Sequence, residues 1–449
     1  MTLRRLAAGL LLVLAFLLAY LPDIGHGFIR DDFRWVHAGE LSSLGDVPRI
    51  LGENTGFYRP LVTLSFGVDR ALFGLNPFPY ALTNVAILSW CAVLIARLGR
   101  NLGLAPTAAA AAAAVWVFNP HGVNMALLWL SGRTALFLCL FGLLATIASL
   151  RHAWWLAGLW CLAALLSKEE AVTLPLLLLG WFWYSQHARP APGTLVRAAV
   201  PLVLALGIYA VLRWHSGAFG PVNAPDYYQF TFAPSAVARN VLEYADRSST
   251  CAALVIIAAV LIAGRLPNLL EPDRPANGAL ERFAILWIVA GFAVTVFLPL
   301  RSSLYALCPS IGSALVAGSL LQRLQHTPAA RMHRVAVLLL LPLLLLPLYR
   351  TRNQRWVRPA DTSAGFVADL QALRPLIPSG THIVALDAAD ERLSGAFEGL
   401  FSDAVTLFVH RDVTGEIVTR LDSGREDEAR GTVHLRVGTD GHLGRDLRP

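Results

Sequence analysis

The feature that most constrains this chain is a succession of long apolar runs, separated by short breaks that carry arginine. A helix needs roughly 20 mostly apolar residues to cross the hydrocarbon core of a bilayer. By that measure about eleven spans are expected, near 5–21, 81–98, 105–119, 134–150, 153–167, 171–185, 197–213, 249–264, 283–299, 303–321 and 335–349. Charged residues make up 15% of the 449 and mean hydropathy is +0.54, too little charge for a soluble chain of this length. The expected fold class is therefore mainly α, a polytopic membrane helical bundle.

The formal net charge of +7 does not point to nucleic acid, because arginine in short breaks is what the positive-inside effect produces. Arg4, Arg5, Arg97, Arg100, Arg151, Arg189, Arg197 and the arginines of 265–282 and 323–334 fall on one side, taken as cytoplasmic. The other side receives the loop 22–80, the turn at His121, the corner Lys168-Glu-Glu170, the segment 214–248, Arg301 and everything after about 350. The first run follows Arg4-Arg5 as a signal peptide would, but no small-x-small cleavage pattern precedes Pro22, so a retained helix is expected. The five cysteines sit in or beside apolar runs without ligand spacing, which argues against a disulfide framework or a zinc site.

Composition changes after Arg350. Residues 1–350 are expected to form the membrane domain and 360–449 a small soluble α/β or α+β unit on the extracytoplasmic side. Within that unit His382–Leu386 and Val405–Val409 read as strands, 388–402 as helical, and Thr432–Val437 as an edge or hairpin strand.

Asp31 and Asp32 stand side by side just beyond the first apolar run. Transfer to a hydroxyl needs a base, and a departing phosphate needs positive charge. An aspartate pair with nearby cations meets both demands; the bland alternative is a pair of solvated acids balanced by Arg30 and Arg34. Lys168, the only lysine of the chain, is either a phosphate ligand or a snorkelling side chain paired with Glu169. Arg133 is a phosphate contact or a helix-start cap, Tyr58-Arg59-Pro60 orients the acid loop or starts an interfacial helix, and Arg301 is a phosphate ligand or an anchor. Adjacent acids can also hold a divalent cation, with His26 and His37 flanking them, but no metal and no other cofactor is expected.

The ordered series Asp31-Asp32, Gly56-Phe-Tyr-Arg-Pro-Leu61, Leu64 to Arg70, Leu72 to Tyr80, Leu82 to Val85, Asn119-Pro-His121, Trp129-Leu-Ser-Gly-Arg133, Leu166-Ser-Lys-Glu169, Leu174-Pro175 and Leu304 to Gly312 resembles GT-C membrane glycosyltransferases. Within them it is most similar to protein O-mannosyltransferases, including the transmembrane and tetratricopeptide-repeat branch, over roughly residues 10–320. The resemblance implies a polyprenyl-phosphate-linked monosaccharide donor, an active site on the outer face and an aspartate base matched by Asp31 and Asp32. It implies an acceptor that is protein, lipid or polysaccharide, and a bacterial-type inner membrane. The tetratricopeptide repeats are missing after residue 350, and the arginine-tyrosine pair usual before Tyr305 is replaced by a more distant Arg301. Two other classes stay open: a transporter or flippase of lipid-linked sugars, and a non-catalytic scaffold presenting residues 360–449.

Overall fold

The computed structural model describes residues 3–54, 56–186, 190–218, 226–263, 275–323, 341–387, 391–419, 432–436 and 443. Helices dominate, and proline marks where many begin. Pro60, Pro77, Pro106, Pro192, Pro234 and Pro275 each open a helix, the position where the missing N–H costs nothing and the fixed φ suits the first turn. Among the described residues four helices are long and apolar enough to cross a membrane: Pro77–Asn101, Leu130–Leu150 with its opening turn, Pro192–His215 and Pro234–Leu261. Helices at the other expected positions are shorter. Pro106–Val117 and Trp154–Leu165 have 12 residues each, about 18 Å of rise. The eleventh expected span, 335–349, lies partly outside the described residues.

The stretch 22–80, expected as one external loop, is itself largely helical. It contains Asp31–Ala38, Val47–Gly52 and Pro60–Phe73. The first helix, Leu3–Tyr20, runs beside Leu346–Leu373, which continues without a break from the bundle into the C-terminal unit. Polar groups stitch the two together: Asn353 donates to the Ala19 carbonyl and to Asp23, each at 2.8 Å. Arg350 lies 3.1 Å from the same Asp23 carboxylate. The Tyr349 hydroxyl donates to the Phe118 carbonyl at 2.7 Å.

Among its described residues the C-terminal unit holds three parallel strands, β1 (His382–Leu386), β2 (Thr414–Val418) and β3 (Thr432–Arg436), in the order β2-β1-β3. His382 registers with Thr414 on one side and with Thr432 on the other. Parallel neighbours require a crossover, and the helices Arg392–Phe397 and Phe401–Phe408 supply it between β1 and β2. This corrects two expectations. Val405–Val409 is not a strand: Phe401, Ala404, Val405 and Phe408 are all buried, the spacing of one helical face. The segment 432–436 is an edge strand, but a parallel one and not half of a hairpin, and β2 had no clear signal because it begins Thr-Gly-Glu.

The unit packs on the first loop. Phe33 is fully buried, stacks on Phe397 at 5.2 Å and meets Phe408 edge-on at 6.4 Å. Phe397 in turn touches Phe366 and Phe401. Truncating Phe33 to alanine should cost about 3–5 kcal/mol, as for other buried phenylalanines. The expected result is a lowered unfolding midpoint in detergent and earlier proteolysis after residue 373; an unchanged midpoint would contradict this account of the docking.

Candidate active site

The two aspartates point to different surroundings, as neighbours at the start of a helix must. Asp32 is fully buried. One carboxylate oxygen accepts from the Ser131 backbone N–H at 2.7 Å and its hydroxyl at 2.5 Å, and the other from the Ile29 N–H at 3.0 Å. Burial pushes its pKa up to about 7 against these hydrogen bonds. Ser131 can approach so closely because Gly132 follows it: a Cβ there would lie 2.6 Å from the Ala126 Cα.

Asp31 is half-buried and, among the described residues, makes no hydrogen bond or ion pair. Burial raises its pKa, while the positive charges of Arg59, Arg34 and Arg30 pull the other way. Tyr227 and Tyr228 lie within electrostatic reach of the same carboxylate. Arg34 has a single long pairing, 3.7 Å to Asp403. Asp403 also receives His37 at 2.9 Å. His26 is buried, and its Nδ1 lies 2.9 Å from the Gly27 carbonyl oxygen.

The corner expected to offer cations offers ion pairs instead. Arg59 grips Glu169 with two hydrogen bonds, 2.9 and 2.6 Å. Burial opposes the charged form of Glu169, but the Arg59 charge and hydrogen bonds outweigh it and hold the carboxyl at about 2. Lys168 pairs with Glu170 at 2.8 Å rather than with Glu169, and its ammonium sits over the Tyr305 ring at 4.9 Å. Both members of that pair are buried. Tyr58 is buried as well, and its hydroxyl donates to the Leu51 carbonyl at 2.8 Å, fixing the turn that carries Arg59.

Arg133 is wholly inside protein. Its guanidinium meets Asp69 at 2.6 Å, Asn84 at 2.8 Å, the Tyr80 carbonyl at 3.0 Å and Ser65 at 3.2 Å, over the Phe66 ring at 4.4 Å. Arg301 lies 3.2 Å from Glu243, and its carbonyl accepts from Arg247 at 2.6 Å. Thus Arg59, Glu169, Lys168, Glu170 and Tyr305 gather at one corner, with Asp31 within electrostatic reach of Arg59. Arg301 adjoins it through Leu300, whose N–H donates to the Tyr227 carbonyl at 3.3 Å, whereas Arg133 serves the bundle beneath.

Several participants carried little sequence signal. Ser131 and Glu170 stand inside motifs already singled out, but nothing marked them as partners of Asp32 and Lys168. Arg247, Arg352 and Arg355 lie outside the expected apolar runs, on the helices Pro234–Ala263 and Leu346–Leu373. Arg352 donates to His121 Nδ1 at 3.2 Å; burial first, then the Arg352 charge, lowers the His121 pKa to about 4. Together with Arg301 these arginines outnumber the local acids Glu243 and Asp246. Among the described residues no group of three or more His, Cys, Asp or Glu side chains gathers as a metal site.

No family model matches the chain. Its fold is that of solved GT-C glycosyltransferases. ArnT from Cupriavidus metallidurans superposes with a TM-score of 0.56 over 97% of this chain and 94% of its own, at 12% identity. A second structure of that protein, bound to undecaprenyl phosphate, gives 0.50 over 95% and 92%, at 13% identity. The mycobacterial arabinofuranosyltransferase AftD gives 0.53 over 87% of this chain and 30% of its own, at 16% identity. In sequence, the chain is 33% identical over 187 residues to the protein O-mannosyl-transferase Tmtc1 of Drosophila melanogaster. That match covers 36% of this chain and 21% of the relative, so the chain spans about a fifth of its curated relative. The apolar helices support an integral membrane protein, its fold resembles that of GT-C glycosyltransferases, and its sequence is similar to an O-mannosyltransferase over the matched part.

Replacing Arg133 with methionine would leave Asp69 buried without its counter-charge, a loss on the order of 3–5 kcal/mol. The expected readout is a collapse in monodisperse protein, partly recovered by adding Asp69→Asn. Full folded yield with only sugar transfer impaired would instead mark Arg133 as a substrate contact.

Proposed function

We propose that the chain is an inverting membrane glycosyltransferase that moves one sugar, mannose or a similar hexose, from a polyprenyl-phosphate carrier to an acceptor hydroxyl. The acceptor, whether protein, lipid or polysaccharide, lies outside the cytoplasm of a bacterial-type cell, on the same side as the C-terminal unit. The observation that carries this reading is the Asp31 carboxylate, half-buried, unpaired among the described residues and flanked by the charges of Arg30, Arg34 and Arg59. The undecaprenyl phosphate bound to ArnT supports the donor class, and the Tmtc1 match supports mannose.

In the proposed step Asp31 takes the proton of the acceptor hydroxyl while its oxygen attacks the anomeric carbon. The bond from that carbon to the phosphate oxygen breaks, and polyprenyl phosphate departs with the electron pair. Asp32, committed to Ser131 and Ile29, orients the turn rather than reacting. Arg59 and Lys168, each holding a carboxylate, shape the pocket and add little net charge. Once released, the phosphate is held on the side of Arg301 and Arg247, where arginines exceed acids. Arg133 stays structural.

Asp31→Asn should lower sugar incorporation by roughly 10²–10⁴-fold, the usual worth of a general base, with protein abundance unchanged. Full activity in both Asp31→Asn and Asp32→Asn would eliminate the base assignment. The pH profile follows from sign. A base works ionised, and burial raises Asp31 above its ordinary 3.8. Activity should therefore be full at higher pH and lost as pH falls through a value above 3.8. Arg59→Gln removes the largest opposing charge and should move that acid limb to still higher pH. A limb at or below 3.8, or one indifferent to Arg59→Gln, contradicts the assignment.

A further inference from the structure

Backbone strain is concentrated where the first loop meets the C-terminal unit. Four described non-glycine residues have positive φ; Arg30 (49°) and Glu398 (46°) meet at this contact, and Glu391 (53°) opens the helix that ends there. Arg30 has ψ of −126°, the first central position of a type II′ turn, which glycine ordinarily fills. The turn is closed by the Asp32 N–H donating to the Ile29 carbonyl at 3.0 Å, and Asp31 is its second central residue.

An arginine occupies the strained place, and its backbone N–H, Nε and Nη1 are held by the C-terminal unit. The Arg30 N–H donates to the Ala396 carbonyl at 2.9 Å and Nε to the Gly395 carbonyl at 3.1 Å. Nη1 meets Glu398 at 2.8 Å. The guanidinium lies 5.6 Å from the Trp356 ring centre, and Trp356 stacks on Trp129 at 5.7 Å. The acceptors are the last carbonyls of the helix Arg392–Phe397, groups that a helix end leaves unsatisfied. The start of that helix is fixed by Asp387, which accepts from the N–H groups of Leu393 and Ser394 at 2.9 and 2.8 Å.

We infer that Arg30 and the helix end Gly395–Glu398 form a clamp through which the C-terminal unit holds Asp31 in its working position. Arg30 is thus a positioning residue, and residues 391–398 are a working part of the catalytic centre. The inference rests on the reading of Asp31 as base, because it names what aims that carboxylate. Strain at a working turn persists only where surrounding contacts over-determine it. A glycine would relieve the strain and release the tether together, so the two effects part in experiment.

The test compares full-length wild type with Arg30→Gly, Glu398→Gly and Asp31→Asn. Turnover is read with synthetic undecaprenyl-phosphate mannose and the native membrane fraction as acceptor pool, and hydrogen exchange is read on the peptide spanning 28–34. For Arg30→Gly the clamp predicts an unfolding midpoint equal to or above wild type. It also predicts kcat at least tenfold lower with donor KM within twofold, and faster exchange at 29–33. Glu398→Gly should fall between the two. Wild-type turnover in Arg30→Gly, or lost turnover with unchanged exchange, overturns the clamp. If Asp31→Asn keeps full turnover, the base reading falls by itself. The exchange measurement, which needs no donor, still decides whether the clamp exists.

Discussion

A charge carried into the interior of a lipid-embedded bundle must find its counter-charge there, because leaving it alone costs several kcal/mol. That constraint organises this end of the protein. Arg133 answers Asp69, Lys168 answers Glu170, and Arg59 answers Glu169. Two of these pairs join stretches far apart in the chain, so each neutralisation also fixes the relative position of two elements. Arg59 with Glu169 binds the start of Pro60–Phe73 to the corner after Trp154–Leu165, and the Leu61 N–H donating to the Leu166 carbonyl at 3.2 Å reinforces the same seam. Against that background Asp31, with no pairing among the described residues, is conspicuous.

The turn bearing Asp31 is held from two directions. Beneath it, Asp32 is anchored to the bundle through Ser131; above it, Arg30 is anchored to the C-terminal unit. Hydrogen bonds to an ionised group contribute about 1.5–3 kcal/mol each, and Asp32 accepts three. Asp31, between the two anchors, has no hydrogen bond or ion pair among the described residues, as the proposed base requires. Adjacent acids thereby acquire different tasks from their surroundings alone, one consumed by structure and one available for chemistry.

The membrane bundle was legible in the sequence because apolar runs of spanning length have few other uses, whereas the expected gathering of Arg133 with Asp31, Asp32, Lys168 and Arg301 did not anticipate that Arg133 serves the bundle. What was not legible had physical reasons. Whether Lys168 takes Glu169 or Glu170 depends on a 3-10 turn at Glu169–Thr173, which local spacing does not specify. Arg133 reads from its neighbours as a membrane-surface cation; only the arrival of Asp69 from another helix makes it a core residue. Val405–Val409 reads as a strand, yet the burial spacing of Phe401–Phe408 is that of a helix, and packing on Phe33 decides between them. The role of Arg30 rests on a backbone angle, which no residue pattern announces when the position is not glycine.

Charge compensation also bears on which step such a site favours. A sugar-linked phosphate diester carries one negative charge, and the phosphate released from it gains another as the glycosidic bond breaks. Cations held by carboxylates attract the resting donor weakly, yet they remain fixed dipoles where new charge appears, so their stabilisation grows toward the transition state. Arg59 with Glu169 and Lys168 with Glu170 fit that description. The excess of arginine near His121 and Arg301 would instead bind the product as well as the transition state. A reaction run between the two would separate chemistry, near Asp31, from retention of the spent carrier, on the arginine side.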